Sequence, residues 1–456
     1  MPAENEKTEL FERTPIPKAV MSLAIPTVLS SLVMVLYHLA DTYFVGMLND
    51  PVQNAALTLS GPMLLAFNAV NNLFGVGTSS MMSRALGVKD YDTVYRSSAF
   101  GFYGSLLFGV LFSLGFTCFR LPLLSLLGTD QATLGATSDY LLWTVTFGAA
   151  PAILNVVLAY LVRSEGAALH ASIGTMSGCF LNIILDPVFI LPWGLNMGAA
   201  GAGLATFLSN CAACLYFFVL LHKKRGKTFV CIKPSMLCAR REIVLGIFGV
   251  GIPASIQNLL NVTGMTVLNN FTSSYGADAV AAMGIVQKIN MVPMNIAMGL
   301  SQGIMPLVSY NFASGNTPRM KKTIGFAMKI TVSFLAVMTA VFYFGAGTLI
   351  RMFMKNQTIV DYGTKFFHGL CLSLVFLAVD FMAVGVFQAC GMGRKALVFA
   401  LLRKVALEIP ALYILNYFYP MYGLAYAQPM AELILAITAC IVLLRLFQKL
   451  ETDPAS

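Results

Sequence analysis

The sequence has 456 residues, 57% of them hydrophobic and 11% charged, with a formal net charge of +9. A mean hydropathy of +0.76 and a charged share far below the about 25% of soluble domains exclude an ordinary water-soluble protein. Long continuous apolar runs, in place of alternating segments of about ten residues, also exclude a β-barrel and leave an all-α polytopic membrane protein.

Residues 1–18, MPAENEKTELFERTPIPK, are acidic and polar and carry no secretory signal, so they read as a tail and the first span is expected to stay in the mature protein. A transmembrane helix needs about 20 mostly apolar residues. Charge clusters, prolines, glycines and polar turns divide the chain into twelve such spans, predicted at 19–46, 54–83, 94–119, 138–162, 169–191, 199–221, 242–272, 279–309, 322–350, 362–389, 396–418 and 423–445. The resulting domains are a tail (1–18), a six-helix amino-terminal lobe (19–221), a basic linker (222–241), a six-helix carboxyl-terminal lobe (242–446) and a tail (447–456).

Lys and Arg set the orientation, because cytoplasmic loops are enriched in them. One side carries 24, from Lys7, Arg13 and Lys18 through the run Lys223 to Arg241 to Arg403, Lys404, Arg445 and Lys449. The other side carries four, Arg120, Arg351, Lys355 and Lys365, and Lys288 falls inside a span. Both termini are expected in the cytoplasm. Topology accounts for the positive charge, and no nucleic-acid partner is needed. The nine cysteines show no paired spacing, and Cys211 and Cys214 fall within the sixth span, so they read as small apolar core residues.

The chain is written twice. Ile25-Pro26 in the first span returns as Ile252-Pro253 in the seventh, Gly77 returns as Gly303, and Gly166 as Gly393, at offsets of 226 or 227 residues. Six helices per half is an even number, so both halves enter from the same side and are related by a pseudo-two-fold axis along the membrane normal. That plan suits a secondary transporter working by alternating access.

A carboxylate in mid-membrane costs about 2.5–3.5 kcal/mol on insertion scales, so such residues usually mark ion or substrate paths. Asp41 near the outer end of the first span and Asp186 in SGCFLNIILDPVFILPWG sit at similar depth. Asn182 lies one turn before Asp186 on the same face, and Thr206 reaches a comparable level in the sixth span. These oxygens suit a hard monovalent cation such as Na⁺, and two close acids also suit a shared proton. The second half replaces the set with Lys288, Asp380 and Glu408. Asp380 is the expected partner of Lys288, a water-filled cavity wall being the alternative, and Glu408 is expected to pair structurally with Arg403 or Lys404. Tyr37, Asn68, Asn72, Gln257 and Asn261 complete the cavity candidates. The 25 Met and 33 Phe residues suit an adaptable pocket for greasy cationic molecules.

The Ile-Pro pairs, LADTYFVG closing the first span, SRALG after the second, SEG after the fourth and NIILDP in the fifth resemble the multidrug and toxic compound extrusion (MATE) family, bacterial type, near its NorM, DinF and MepA groups. The resemblance covers essentially the whole chain. It implies two six-helix bundles in a bacterial inner membrane that expel cationic or amphipathic compounds by antiport with sodium ions or protons, without a cofactor. It also implies a cation site at Asp41, Asn182, Asp186 and Thr206, and a helix that bends at Pro26. Where some members place an acid in helix seven, this chain has Gln257, Asn258 and Asn261, while Asp380 matches their helix-ten acid.

Competing readings fare worse. A lipid-linked-precursor flippase would need a strongly cationic cavity, for which only Lys288 is offered. An intramembrane enzyme would need a motif such as HExxH, which is absent. The chain is expected to act as a monomer and not as an enzyme.

Overall fold

The computed structural model describes residues 8–452; the first seven residues of the expected amino-terminal tail, Lys7 among them, and the last four of the carboxyl-terminal tail lie outside that range. Every element among the described residues is helical. In the first half, α1 is Ile16–Gly46 and α2 runs from Pro51–Asn71 through a π-helical turn, Asn72–Val76, into Gly77–Gly87. Next come α3 (Tyr91–Cys118), α4 (Leu134–Leu141, a π turn at Leu142–Phe147, then Ala149–Ser164), α5 (Ala168–Ile190) and α6 (Ala199–Lys223). The second half holds α7 (Arg241–Ser273), α8 (Ala277–Ala313), α9 (Thr317–Phe353) and α10 (Gln357–Cys371 with Ser373–Ala389). It ends with α11 (Gly393–Leu401, a π turn at Leu402–Glu408, Ile409–Phe418) and α12 (Leu424–Thr452).

These are twelve helices in two lobes of six. Eight are single helices long and apolar enough to cross a bilayer, and α4 and α10 qualify as bent pairs, turning by 52° and 41°. The other two, α2 and α11, are spans interrupted by π turns, where one extra residue per turn breaks the regular ladder. All nine cysteines are free thiols.

The helices pack into two compact units. One holds residues 8–13 and Leu29–Ser255; the other holds Thr14–Val28 and residues 256–452. The boundaries therefore fall inside α1 and α7, a few residues past Pro26 and Pro253, and the 222–241 segment packs within the first unit. Both α1 and α7 therefore begin in one unit and end in the other.

Glycine explains how a foreign half-helix is seated. Lipid tails are as apolar as leucine, so helices in a membrane associate through close van der Waals packing over small residues. A Cβ on Gly77 would strike the carbonyl oxygen of Ile247 in the first half of α7, and one on Gly303 would lie 2.9 Å from Cα of Ala24 in the first half of α1. The glycine pair that marked the repeat thus performs the same task in each unit.

Hydroxyls serve the backbone at both prolines. Pro26 has no N–H to give the carbonyl four residues earlier, and its ring crowds that carbonyl. One residue on, the Thr27 hydroxyl donates to the Leu23 carbonyl at 2.8 Å. Beyond Pro253, the Ser255 hydroxyl reaches the Gly251 carbonyl at 3.0 Å and the Ala69 carbonyl of α2 at 2.5 Å. Such back-bonding hydroxyls bend helices.

Candidate functional site

The first unit's site begins with the approach of α5 to α6. At Gly178 a Cβ would sit 3.1 Å from the Ser209 carbonyl oxygen and 3.2 Å from Cβ of Ala213, so the glycine lets the two helices close. One turn further along α5, Asn182 meets Thr206. The Asn182 amide nitrogen lies 3.3 Å from the Thr206 hydroxyl in one orientation of the amide. Turned over, the amide nitrogen donates to Asp186 Oδ2 at 2.9 Å while its oxygen accepts the Thr206 N–H at 3.1 Å. The second orientation matches donors with acceptors throughout, and it makes Asn182 the residue that holds Asp186.

Asp186 is fully buried and Asn182 nearly so. Asp41 is half-buried, yet its Oδ1 is enclosed and has no hydrogen-bond partner among the described residues. Asp41 lies within electrostatic reach of Asp186, and Tyr37 and Tyr140 lie within reach of both acids. Tyr37 precedes Asp41 by one turn and shares its face. An all-oxygen set with an unpartnered carboxylate oxygen fits a hard cation or a proton.

Beside this set is a cavity of about 170 Å³ lined by Tyr37, His38, Asn68, Asn182 and Thr206, together with Asn155 and Asn210. The last two are hydrogen-bonded to each other at 3.0 Å and also line the pocket. Asn72 is not part of that lining; it opens the π turn of α2. Tyr140, Asn155 and Asn210 went unnoticed in the sequence, although polar side chains inside otherwise apolar spans were the signal that would have found them.

The second unit arranges its charges otherwise. Asp380 pairs with Arg403, not Lys288: Arg403 Nη1 lies 2.9 Å from Asp380 Oδ2 and 3.9 Å from Glu432 Oε1. Lys288 is exposed and forms no ion pair among the described residues. Arg403 Nη2 also donates to Asn261 Oδ1, and Lys404 Nζ sits 2.6 Å from Glu408. Arg403, Lys404 and Glu408 all belong to the π turn of α11 and are buried. The orientation count therefore loses two of its 24 basic residues, because Arg403 and Lys404 lie inside a span; 22 against four leaves its direction unchanged.

With Gln287 and Asn290, the same charged groups line a cavity of about 270 Å³. Two cations face three acids there, counting Asp380 beside the wall, an excess of one negative charge when all are ionised. Both Glu432 oxygens lack a hydrogen bond among the described residues. Gln257 stands apart from this cavity and accepts from Gln388 at 3.2 Å.

Comparison with known proteins follows the same repeat. The MatE family model matches residues 26–188 and, a second time, residues 253–414. Each match opens on the proline of an Ile-Pro pair. The chain belongs to the MATE family.

Among its relatives, the multidrug export protein MepA of Staphylococcus aureus (strain MRSA252) is 35% identical over 453 residues, covering 99% of this chain and 98% of MepA. The MepA of Staphylococcus saprophyticus is 34% identical over 454 residues, covering 99% of both. A solved structure described as the outward-facing conformation of a multidrug resistance MATE family transporter superposes with a TM-score of 0.92 at 25% identity, over 97% of this chain and 98% of that one. Membership in the MATE family thus holds over the whole length, and the chain is a multi-pass membrane protein.

Proposed function

We propose that this chain is a multidrug exporter, the role that the name multidrug export protein gives its MepA relatives, and that it moves cationic or amphipathic compounds out of the cell in exchange for sodium ions or protons. One observation carries the reading. Asn182, Asp186 and Thr206 meet in the first unit within electrostatic reach of Asp41, whose Oδ1 has no hydrogen-bond partner among the described residues, whereas Asp380 in the second unit already has Arg403.

In this reading the inward-moving ion loads between Asp41 and Asp186. Asn182 steadies Asp186 through its amide, and the Tyr37 and Tyr140 phenols border the pair. A charge arriving there removes the repulsion between two carboxylates in a poorly screened setting, the term that favours loading. The cavity bordered by Tyr37, Asn68 and Thr206 adjoins the site, so loading and compound binding compete for the same walls. Bending of α1 at Pro26 would couple the two. The chain works as a monomer in the bacterial cytoplasmic membrane with both termini inside. A flippase for pyrophosphate-linked lipids is disfavoured, since the buried cations of the second unit, Arg403 and Lys404, are already paired with Asp380 and Glu408.

Reconstituted vesicles loaded with ethidium supply the test, with sodium or proton gradients imposed separately. Efflux driven by one gradient and abolished by Asp41→Asn is the expected outcome and names the ion. Efflux that survives Asp41→Asn would move coupling elsewhere, and no gradient-driven efflux would overturn the antiporter.

A further inference from the structure

The segment joining α6 to α7 is built onto the protein, not strung between helices. Buried Glu165 accepts from the Thr228 hydroxyl at 2.9 Å and from the Phe229 N–H at 2.6 Å. The Ser98 hydroxyl accepts the Cys231 N–H at 2.9 Å, and the Tyr103 hydroxyl donates to the Ile232 carbonyl at 2.8 Å. Phe229 is buried and stacks on Tyr91, with ring centroids 5.5 Å apart and planes 6° from parallel. Held this way, residues 228–232 stand off the last turns of α6 and enclose a cavity of about 840 Å³.

The lining has two characters. Lys223, Arg225 and Lys233 supply positive charge, and no acidic residue lines the cavity. Lys223, Arg225 and Lys233 are exposed, and none of them forms an ion pair among the described residues. Three unneutralised cations around one concavity call for an anion. The other walls are apolar: Phe218 and Val219 on α6, 36% and 43% exposed, and Met236 from the joining segment. A soluble anion has no use for that surface, whereas a phospholipid presents a phosphodiester and an acyl chain together. The volume falls within the about 300–1,000 Å³ of small-molecule sites. Basic pockets at the membrane surface hold acidic headgroups through charge-assisted hydrogen bonds.

We propose that this cavity binds an anionic phospholipid of the adjoining leaflet, with Lys223, Arg225 and Lys233 on the phosphodiester and the chains lying along Phe218 and Val219. The lipid then ties the segment that leads into α7 to the membrane surface. This site is independent of the ion that drives export.

Native mass spectrometry of the detergent-purified full chain, titrated with dioleoylphosphatidylglycerol, reads the site directly. The triple variant Lys223→Gln/Arg225→Gln/Lys233→Gln is expected to bind at least about tenfold more weakly. Removing the same charge elsewhere, in Lys322→Gln/Arg394→Gln/Lys395→Gln, is expected to change binding less than about twofold. Met236→Glu keeps all three cations, sets a carboxylate in the cavity and should match the first triple. Equal losses in both triples, or full binding by Met236→Glu, would overturn the site. Dioleoylphosphatidylcholine binding as tightly, or inorganic phosphate displacing the lipid at equal concentration, would overturn an anionic lipid as its ligand.

Discussion

Asn182 shows how much one amide can decide. It gives a hydrogen bond to Asp186 and takes one from the Thr206 backbone, so both ends of a buried dipole are matched. Asn182→Leu removes that match and leaves a buried carboxylate oxygen without its donor, at a cost of about 1–3 kcal/mol. Asp41→Asn breaks no protein hydrogen bond at Oδ1 and removes one of two neighbouring acids. Melting of the detergent-solubilised variants is therefore expected to fall for Asn182→Leu and to hold or rise for Asp41→Asn; a fall for Asp41→Asn would assign that acid a structural role. Helical rise and turn were enough to bring out Asp41, Asn182, Asp186 and Thr206 from sequence, because all four lie on regular stretches of helix. Tyr140 escaped because it stands just before the π turn of α4, where regular counting of depth stops.

At the scale of an element, the π turn of α11 is the feature that sequence reading could not supply. An added residue rotates everything after it by about 100° relative to an uninterrupted helix. Arg403 and Lys404 looked like the cytoplasmic end of a span, and the turn instead buries them against Asp380, Glu408 and Glu432. Removing one partner of a buried pair costs about 3–5 kcal/mol, because the remaining charge has no solvent. Arg403→Met should lose that much stability in thermal or denaturant unfolding, and Arg403→Met/Asp380→Leu should recover part of it. Glu432 keeps the recovery incomplete, and a harmless Arg403→Met would refute the pairing. The pairing of Glu408 with Lys404 was legible beforehand, since four residues apart on a helix is contact distance.

For the whole molecule, the duplication was readable from a few dipeptides and glycines, and twelve spans followed from hydropathy alone. The division into units was not readable. Sequence places a boundary where the chain is polar, at 222–241, whereas packing places it inside α1 and α7, where Gly77 and Gly303 admit a half-helix from the other repeat. Pro26 stands just before the crossing point of α1. Pro26→Ala restores a backbone hydrogen bond and removes a steric clash. It is expected to leave melting unchanged or higher while slowing gradient-driven ethidium efflux; an unchanged rate would remove Pro26 from the transport cycle.

The exchange of half-helices also sets a timetable for synthesis. The unit containing Leu29–Ser255 has all its parts once α7 has begun, but Thr14–Val28 belongs with residues 256–452. At about 5–20 residues per second, that early piece waits roughly twenty to ninety seconds for the rest of its unit to be made. Among the first turns of helix to leave the ribosome are some of the last to find their permanent neighbours, so the nascent chain must keep the start of α1 in the membrane, unclaimed, until translation ends.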